Sequence, residues 1–367
     1  FLISSQVAPL GIDQLMLRRR IDPSFLLFGQ FLGQGALAAL VVGLLAHVFY
    51  DLDLTSVMLM SVAVGAGNLI WIVAAGYRSH LKPRAALGAQ TASDWLLLAI
   101  GVLVSVVPSD DAVIPMSLYC GAMALIGVAA WARYARLYRV PPCERERITL
   151  RAAAPLLGIA AGSVVVVQLE RIVIPLLLDV YALALFNVLA SVAIFPFRMV
   201  ASGAGFALVP RLRAASSVDD RRRMVWHELR MIALALVGAT ILVAFLAPPV
   251  AEWLTDGRYA PDRLLVLAAC LNGAAKVVQA IPRAVVTACG SERDVTVLNR
   301  LVWVGILTGV VGAVLGSWTG LAGLLVGSTL GSLIIAIPAT RVAQRALAAG
   351  PASGSQAPKL PVRGEVD

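Results

Sequence analysis

Asn272, Lys276, Gln279 and Arg283 recur at intervals of four, three and four inside the apolar stretch LLVLAACLNGAAKVVQAIPRAVV. At 100° per residue they fall within about 60° of one helical face. Such a stripe offers two amides and two cations, and it contains no acid. It can line a wet cavity that receives an anion, or it can bond to neighbouring helices as interhelical glue. A second constellation lies in VVVVQLERIVIP, residues 164–175, with Gln168, Glu170 and Arg171. Adjacent helical residues point about 100° apart, so Glu170 and Arg171 cannot face one way, whereas Gln168 and Arg171 can. One assignment turns Arg171 toward a cavity and Glu170 toward a neighbouring helix; the alternative makes Glu170 a proton site. A third face carries Asn187, Ser191, Arg198 and Ser202, of which the serines are also ordinary packing devices. Asp94, one turn after Gln90, is either an interfacial residue or a site of ion coupling. The three histidines and four scattered cysteines form no metal spacing or disulfide framework, and no cofactor is implied.

The elements that must position these residues are membrane helices. Of 367 residues, 59% are hydrophobic and 14% charged; soluble chains run at roughly 45–50% and about 25%. The mean hydropathy is +0.86. A helix needs about 20 mainly apolar residues to cross a bilayer. Ten full spans are expected at 24–48, 56–76, 86–107, 112–132, 153–178, 181–209, 229–252, 262–288, 297–316 and 320–340. Residues 1–17 read as the end of an eleventh. Arg171, Arg198, Lys276 and Arg283 then lie inside spans. Facing lipid they would cost on the order of 10 kcal/mol together, so protein or a wet cavity must receive them.

The net charge of +9 does not point to nucleic acid, because the bases cluster between spans. Alternate connections hold 22 Lys or Arg; those between them hold only Arg258 and Arg263, with acids such as Asp51, Asp53, Asp110 and Asp111. By the positive-inside bias the basic connections and the C-terminus are cytoplasmic. The longest basic connection, 133–152, separates five visible helices from six, and a further helix before Phe1 would make two bundles of six. The expected organisation is an all-α polytopic protein: an N-terminal bundle at 1–132, a cytoplasmic linker at 133–152, a six-helix bundle at 153–348 and a disordered Pro/Gly/Ser-rich tail at 349–367. Gln30 and Gln34 with Gly29, Gly33 and Gly35 suggest close helix packing, as does GSWTGLAGLLVGSTLGS at 316–332.

The stretch QLERIVIPLLLDVYALALFNVLA, 168–190, resembles the start of the second half in the polysaccharide flippases of the multidrug/oligosaccharidyl-lipid/polysaccharide superfamily. Glu170 and Arg171 match that family's acidic–basic pair, with Glu where Asp is usual, and Tyr181 and Ala184 match the opening of its eighth helix. ALVPRLR (207–213), 284–332 and GIDQLMLRRR (11–20) are similar to other helix ends of that family. The resemblance implies a bacterial cell-membrane flippase that carries a lipid-linked oligosaccharide, on a polyprenyl diphosphate, to the outer leaflet. Its partners would be membrane lipids and a polysaccharide polymerase or export machinery.

The residues agree with an anionic cargo. Four intramembrane bases against one deep acid suit a diphosphate, which takes hydrogen bonds from Arg and Lys; a multidrug antiporter for cations would more naturally bury Asp or Glu. The expected substrate set is Arg171, Lys276, Arg283, Arg198, Gln279 and Asn272, with Glu170 and Asp94 for ion coupling. If these cations are unpaired, alanine at Arg171 or Lys276 relieves an insertion cost. A membrane glycosyltransferase or polymerase would place its chemistry in a sizeable outer loop. The longest outer connection here is 253–263, WLTDGRYAPDR, with no catalytic constellation, so no enzyme is expected.

Overall fold

The computed structural model describes residues 15–16, 24–50, 53–80, 82–106, 113–138, 150–215 and 217–349. Among them there is no strand. The helices are α1 (Phe25–Tyr50), α2 (Leu54–Ser79), α3 (Pro83–Val106), α4 (Val113–Tyr138), α5 (Leu150–Leu177) and α6 (Val180–Leu189). A π turn (Ala190–Ile194) leads into α7 (Phe195–Ala214), followed by α8 (Val218–Leu254), α9 (Arg263–Cys289), α10 (Glu292–Ser317), α11 (Gly320–Leu333) and α12 (Ala336–Ala349). Each of the ten expected spans falls on described helix, two of them interrupted, and eight stretches are long and apolar enough to cross a membrane. Large apolar side chains such as Leu125 and Phe245 are about three-quarters exposed, at 74% and 76%, as a lipid-facing surface requires. The protein is an all-α, multi-pass membrane protein.

The acids of the expected outer connections have a structural use. Asp53, Asp179 and Asp262 are the N-caps of α2, α6 and α9, each carboxylate accepting from backbone N–H groups in the first turn. Those donors have no partner within their helix.

Four expectations are corrected in detail. The span at 181–209 is not one regular helix: Pro196 lacks an N–H and crowds the carbonyl of residue 192. The chain relaxes into a π turn in which Phe195 N–H bonds Ala190 O. The apolar span at 229–252 is the latter part of a 37-residue helix that begins at Val218. Hydropathy misses its charged opening turns, which Ser217 caps by accepting from Asp220 N at 3.0 Å. The last span breaks after Leu333, because Pro338 cannot bond the carbonyl of Ile334; α12 then runs on as an amphipathic helix, with Arg341 and Arg345 outward and Val342, Ala343, Ala346 and Leu347 buried. The linker expected at 133–152 is helical at both ends, in α4 to Tyr138 and in α5 from Leu150. Residues 1–14, 139–149 and the tail 350–367 lie outside the described residues.

Strong helix packing falls within two groups, α1–α4 and α5–α12. In the first, α2 is central and touches α1, α3 and α4; in the second, α9 is central and touches α7, α8, α11 and α12. Gly35 meets Asn68 and Gly65 as a packing glycine, while Gly29 and Gly33 have open space around them, so only part of that patch packs. The tightest contact is α10 on α11. A Cβ on Gly312 would collide with Gly327 O, and one on Gly316 with Gly323 O. Backbones approach this closely only where side chains are absent. The consequence for the site is that polar residues on α9 point at other helices.

Candidate transport site

Glu170 and Arg171 do turn opposite ways. Glu170 on α5 is 1% exposed. Its Oε2 accepts from Lys276 Nζ of α9 at 2.7 Å, and its Oε1 accepts from Asn272 Nδ2 at 2.8 Å. The same amide nitrogen lies 3.1 Å from Thr329 Oγ1 and 3.3 Å from Ser328 Oγ, both on α11. Ser328 has one hydroxyl proton, and Leu325 O at 3.0 Å holds it better than Glu170 Oε1 at 3.4 Å. Thr329 donates to Leu325 O at 2.7 Å. Three helices therefore converge on one carboxylate. Asn272 Oδ1 is buried with no donor to it.

Lys276 is consequently paired, and the stripe on α9 is balanced by an acid from the next helix. Removing Lys276 creates a buried charge where the sequence suggested relief of one. Asn272 and Gln279 are buried at 1% and 4% exposure, Asn272 against α5 and α11. One turn on, Arg283 Nη1 donates to Ser163 Oγ of α5 at 2.8 Å and its Nη2 to Gln279 Oε1 at 3.1 Å. Val277 and Ala284, on the opposite flank, are packed at 0% and 7%.

Arg171 belongs to the other face of α5. Its Nη1 donates to Gln168 Oε1 at 3.3 Å. Arg198 reaches across from α7, just beyond the π turn, and its Nη2 donates to Val167 O at 3.3 Å. The two guanidinium groups are close enough for each charge to bear on the other. Both are half-buried, and the Nε of each is buried with no acceptor. A charged donor left so costs more than the ~1–3 kcal/mol of a neutral one. No carboxylate among the described residues pairs with either, since Glu170 is taken by Lys276. The π turn also breaks the register of the third face: Asn187 is exposed, its carbonyl accepts from Ser191 Oγ at 3.0 Å, and Arg198 has left their side. The side chains of Asp94 and Ser202 lie outside the described residues.

Ser163, Ser328 and Thr329 were not singled out by sequence. The adjacent hydroxyls in the Gly-rich run at 316–332 were the available signal. Phe197, fully buried, packs on Gly273 one residue after Asn272, where a Cβ would come within 2.8 Å of its ring; this contact fixes α7 against α9.

No protein-family model matches this chain, and no curated protein does. A solved structure does. The Vibrio cholerae MATE transporter VcmN, in its bent form, aligns with 95% of this chain and 84% of its own, at a TM-score of 0.56 and 15% identity. The chain has a MATE fold. At that identity the likeness carries architecture alone. Within the MATE fold, the cluster around Glu170 and the pair Arg171–Arg198 both lie in the group α5–α12.

Proposed function

We propose that this protein is a transporter of the bacterial cell membrane. It moves an anionic lipid-linked oligosaccharide to the outer leaflet, and Arg171 and Arg198 receive the diphosphate. The observation that carries this reading is the division of charge. Glu170, the one buried acid among the described residues, is occupied by Lys276, while two guanidinium groups on adjacent helices hold buried donors without acceptors. Guanidinium forks match phosphate oxygens. A cation would meet two like charges there.

Glu170 gives the site a means of coupling. Lys276 lies within electrostatic range of Arg171 and Arg198. A proton placed on Glu170 dissolves the ion pair and frees the ammonium to join the two arginines on the diphosphate; loss of the proton recaptures it. Arg283 and Gln279, nearer the proposed cytoplasmic end of α9, continue the path, and Asp94 is a second candidate for ion coupling. The two helix groups rock about the site in alternating access, with the basic connections and C-terminus cytoplasmic. A polymerase or export complex would take the product.

The MATE likeness favours a second reading, a cation antiporter in which Glu170 exchanges Lys276 for a cationic drug. Complementation separates the two. In a strain lacking the gene, Arg171→Ala and Arg198→Ala should insert normally and fail to restore surface glycan, with Arg171→Lys intermediate. Full restoration by both alanine variants overturns the assignment of the two arginines to the diphosphate, a parent chain that restores no glycan overturns the flippase reading, and drug resistance conferred by the parent chain would favour the antiporter.

A further inference from the structure

A second buried cation lies away from the transport site, at the corner where α7 passes into α8. Arg221 is the fourth residue of α8 and the first of its inward positions, followed by Val225 and Ile232. It is 4% exposed. Its Nη2 donates to Ala215 O at 3.3 Å, while Nε and Nη1 are both buried without an acceptor. No carboxylate among the described residues pairs with it. Asp220, its neighbour, is held in the N-cap, where its Oδ2 accepts from Ser217 Oγ at 2.6 Å. Arg213 at the end of α7 lies near enough that its charge and that of Arg221 are both felt at Cys289. The partial negative charge at the end of α7 accounts for the one bond to Ala215 and leaves the other donors unmatched. An anion matches such a group better than a neutral acceptor does, because it meets both the charge and the open donors.

The outward face of the same turns shows which anion. Trp226 is 64% exposed, and Arg222, Arg223, His227 and Arg230 are exposed beside it. An exposed Trp among bases at the charged end of a membrane helix marks headgroup depth, and such basic segments attract anionic lipid. We propose that the α7–α8 corner binds the phosphate of an anionic membrane lipid, with the buried guanidinium of Arg221 as its principal donor. The site is independent of the transported substrate.

The test uses the full chain in detergent, followed by native mass spectrometry and thermal unfolding with added phosphatidylglycerol, phosphatidylcholine or inorganic phosphate. The parent should retain phosphatidylglycerol in preference to phosphatidylcholine and be stabilised by it. The preference should survive high salt, because a buried pair is screened little. Arg221→Met should weaken phosphatidylglycerol binding roughly 10- to 100-fold, the loss of a charge-assisted bond, and Arg221→Lys should fall between. The double variant Arg222→Gln/Arg223→Gln should keep the high-salt preference. A parent without preference overturns the proposal whatever the variants do, as does unchanged binding by Arg221→Met. If inorganic phosphate stabilises as well as the lipid and displaces it, the site takes a free anion and the lipid assignment is wrong.

Discussion

Substituting Lys276 by Met removes the ammonium that lies 2.7 Å from Glu170 Oε2 and keeps most of the side-chain volume. Glu170 is then a carboxylate at 1% exposure with Asn272 as its remaining strong donor. Breaking a buried pair from one side costs about 3–5 kcal/mol, because the surviving charge has lost its counter-charge in a poorly solvated place. For a domain of 150–250 residues each kcal/mol lowers the unfolding midpoint by about 2–4 °C, so a loss of roughly 6–20 °C is expected. Glu170→Gln leaves Lys276 buried and should fall in the same range. The double variant Glu170→Gln/Lys276→Met carries no buried charge, and Gln still accepts from Asn272. It should recover to within about 1.5 kcal/mol of the parent. Thermal unfolding of the four purified proteins in one detergent closes the cycle. Two results refute the reasoning: a single variant as stable as the parent, or a double variant as unstable as the sum of the singles, which is no coupling between the sites. Either would mean that the pair does not hold α5 to α9.

In a cysteine-free background, cysteines at Gln168 and Arg171 should react with a small water-soluble thiol reagent. Those at Asn272 and Gln279 should be protected, and equal reactivity at all four would mean that the α9 stripe faces water. Gly312→Ala should lower the unfolding midpoint, since even a methyl meets Gly327 O; overpacking costs about 1–3 kcal/mol. Gly238→Ala on α8, where the added carbon meets nothing, should be neutral or stabilising by up to about 1 kcal/mol, and a Gly312→Ala protein as stable as the parent would refute the packing of α10 on α11. Reporter fusions at Leu150 and Gly350 should both report cytoplasm; an outer signal from either would break the proposed orientation.

Much of the architecture was legible because the bilayer forces it. Spans of apolar residues locate the membrane-crossing stretches among the described residues, since lipid penalises both charge and unpaired backbone. The opposed directions of Glu170 and Arg171 followed from the 100° step alone. The partner of Lys276 did not. The α9 stripe contains no acid of its own, and a period within one helix is blind to what the next helix offers across it; the acid lies 106 residues away. Ser328 and Thr329 were hidden for the same reason, in a run whose glycines already had a use in packing on α10. The face through Asn187 and Arg198 failed differently. It assumed 3.6 residues per turn through Pro196, and the π turn inserted there rotates everything after it. Polarity hid the start of α8, because hydropathy registers only the lipid-spanning part of a helix that continues beyond the bilayer.

The most direct test of the account is binding of a short-chain prenyl diphosphate to the purified parent, Arg171→Ala and Arg198→Ala proteins, measured by calorimetry beside a cationic dye. The parent should bind the diphosphate, and each alanine variant should bind it roughly 10- to 100-fold more weakly, as expected for the loss of charge-assisted hydrogen bonds; the dye should not compete. Diphosphate binding that is equal in all three proteins, or absent from a parent that binds the dye, would contradict the assignment of Arg171 and Arg198 to an anionic cargo.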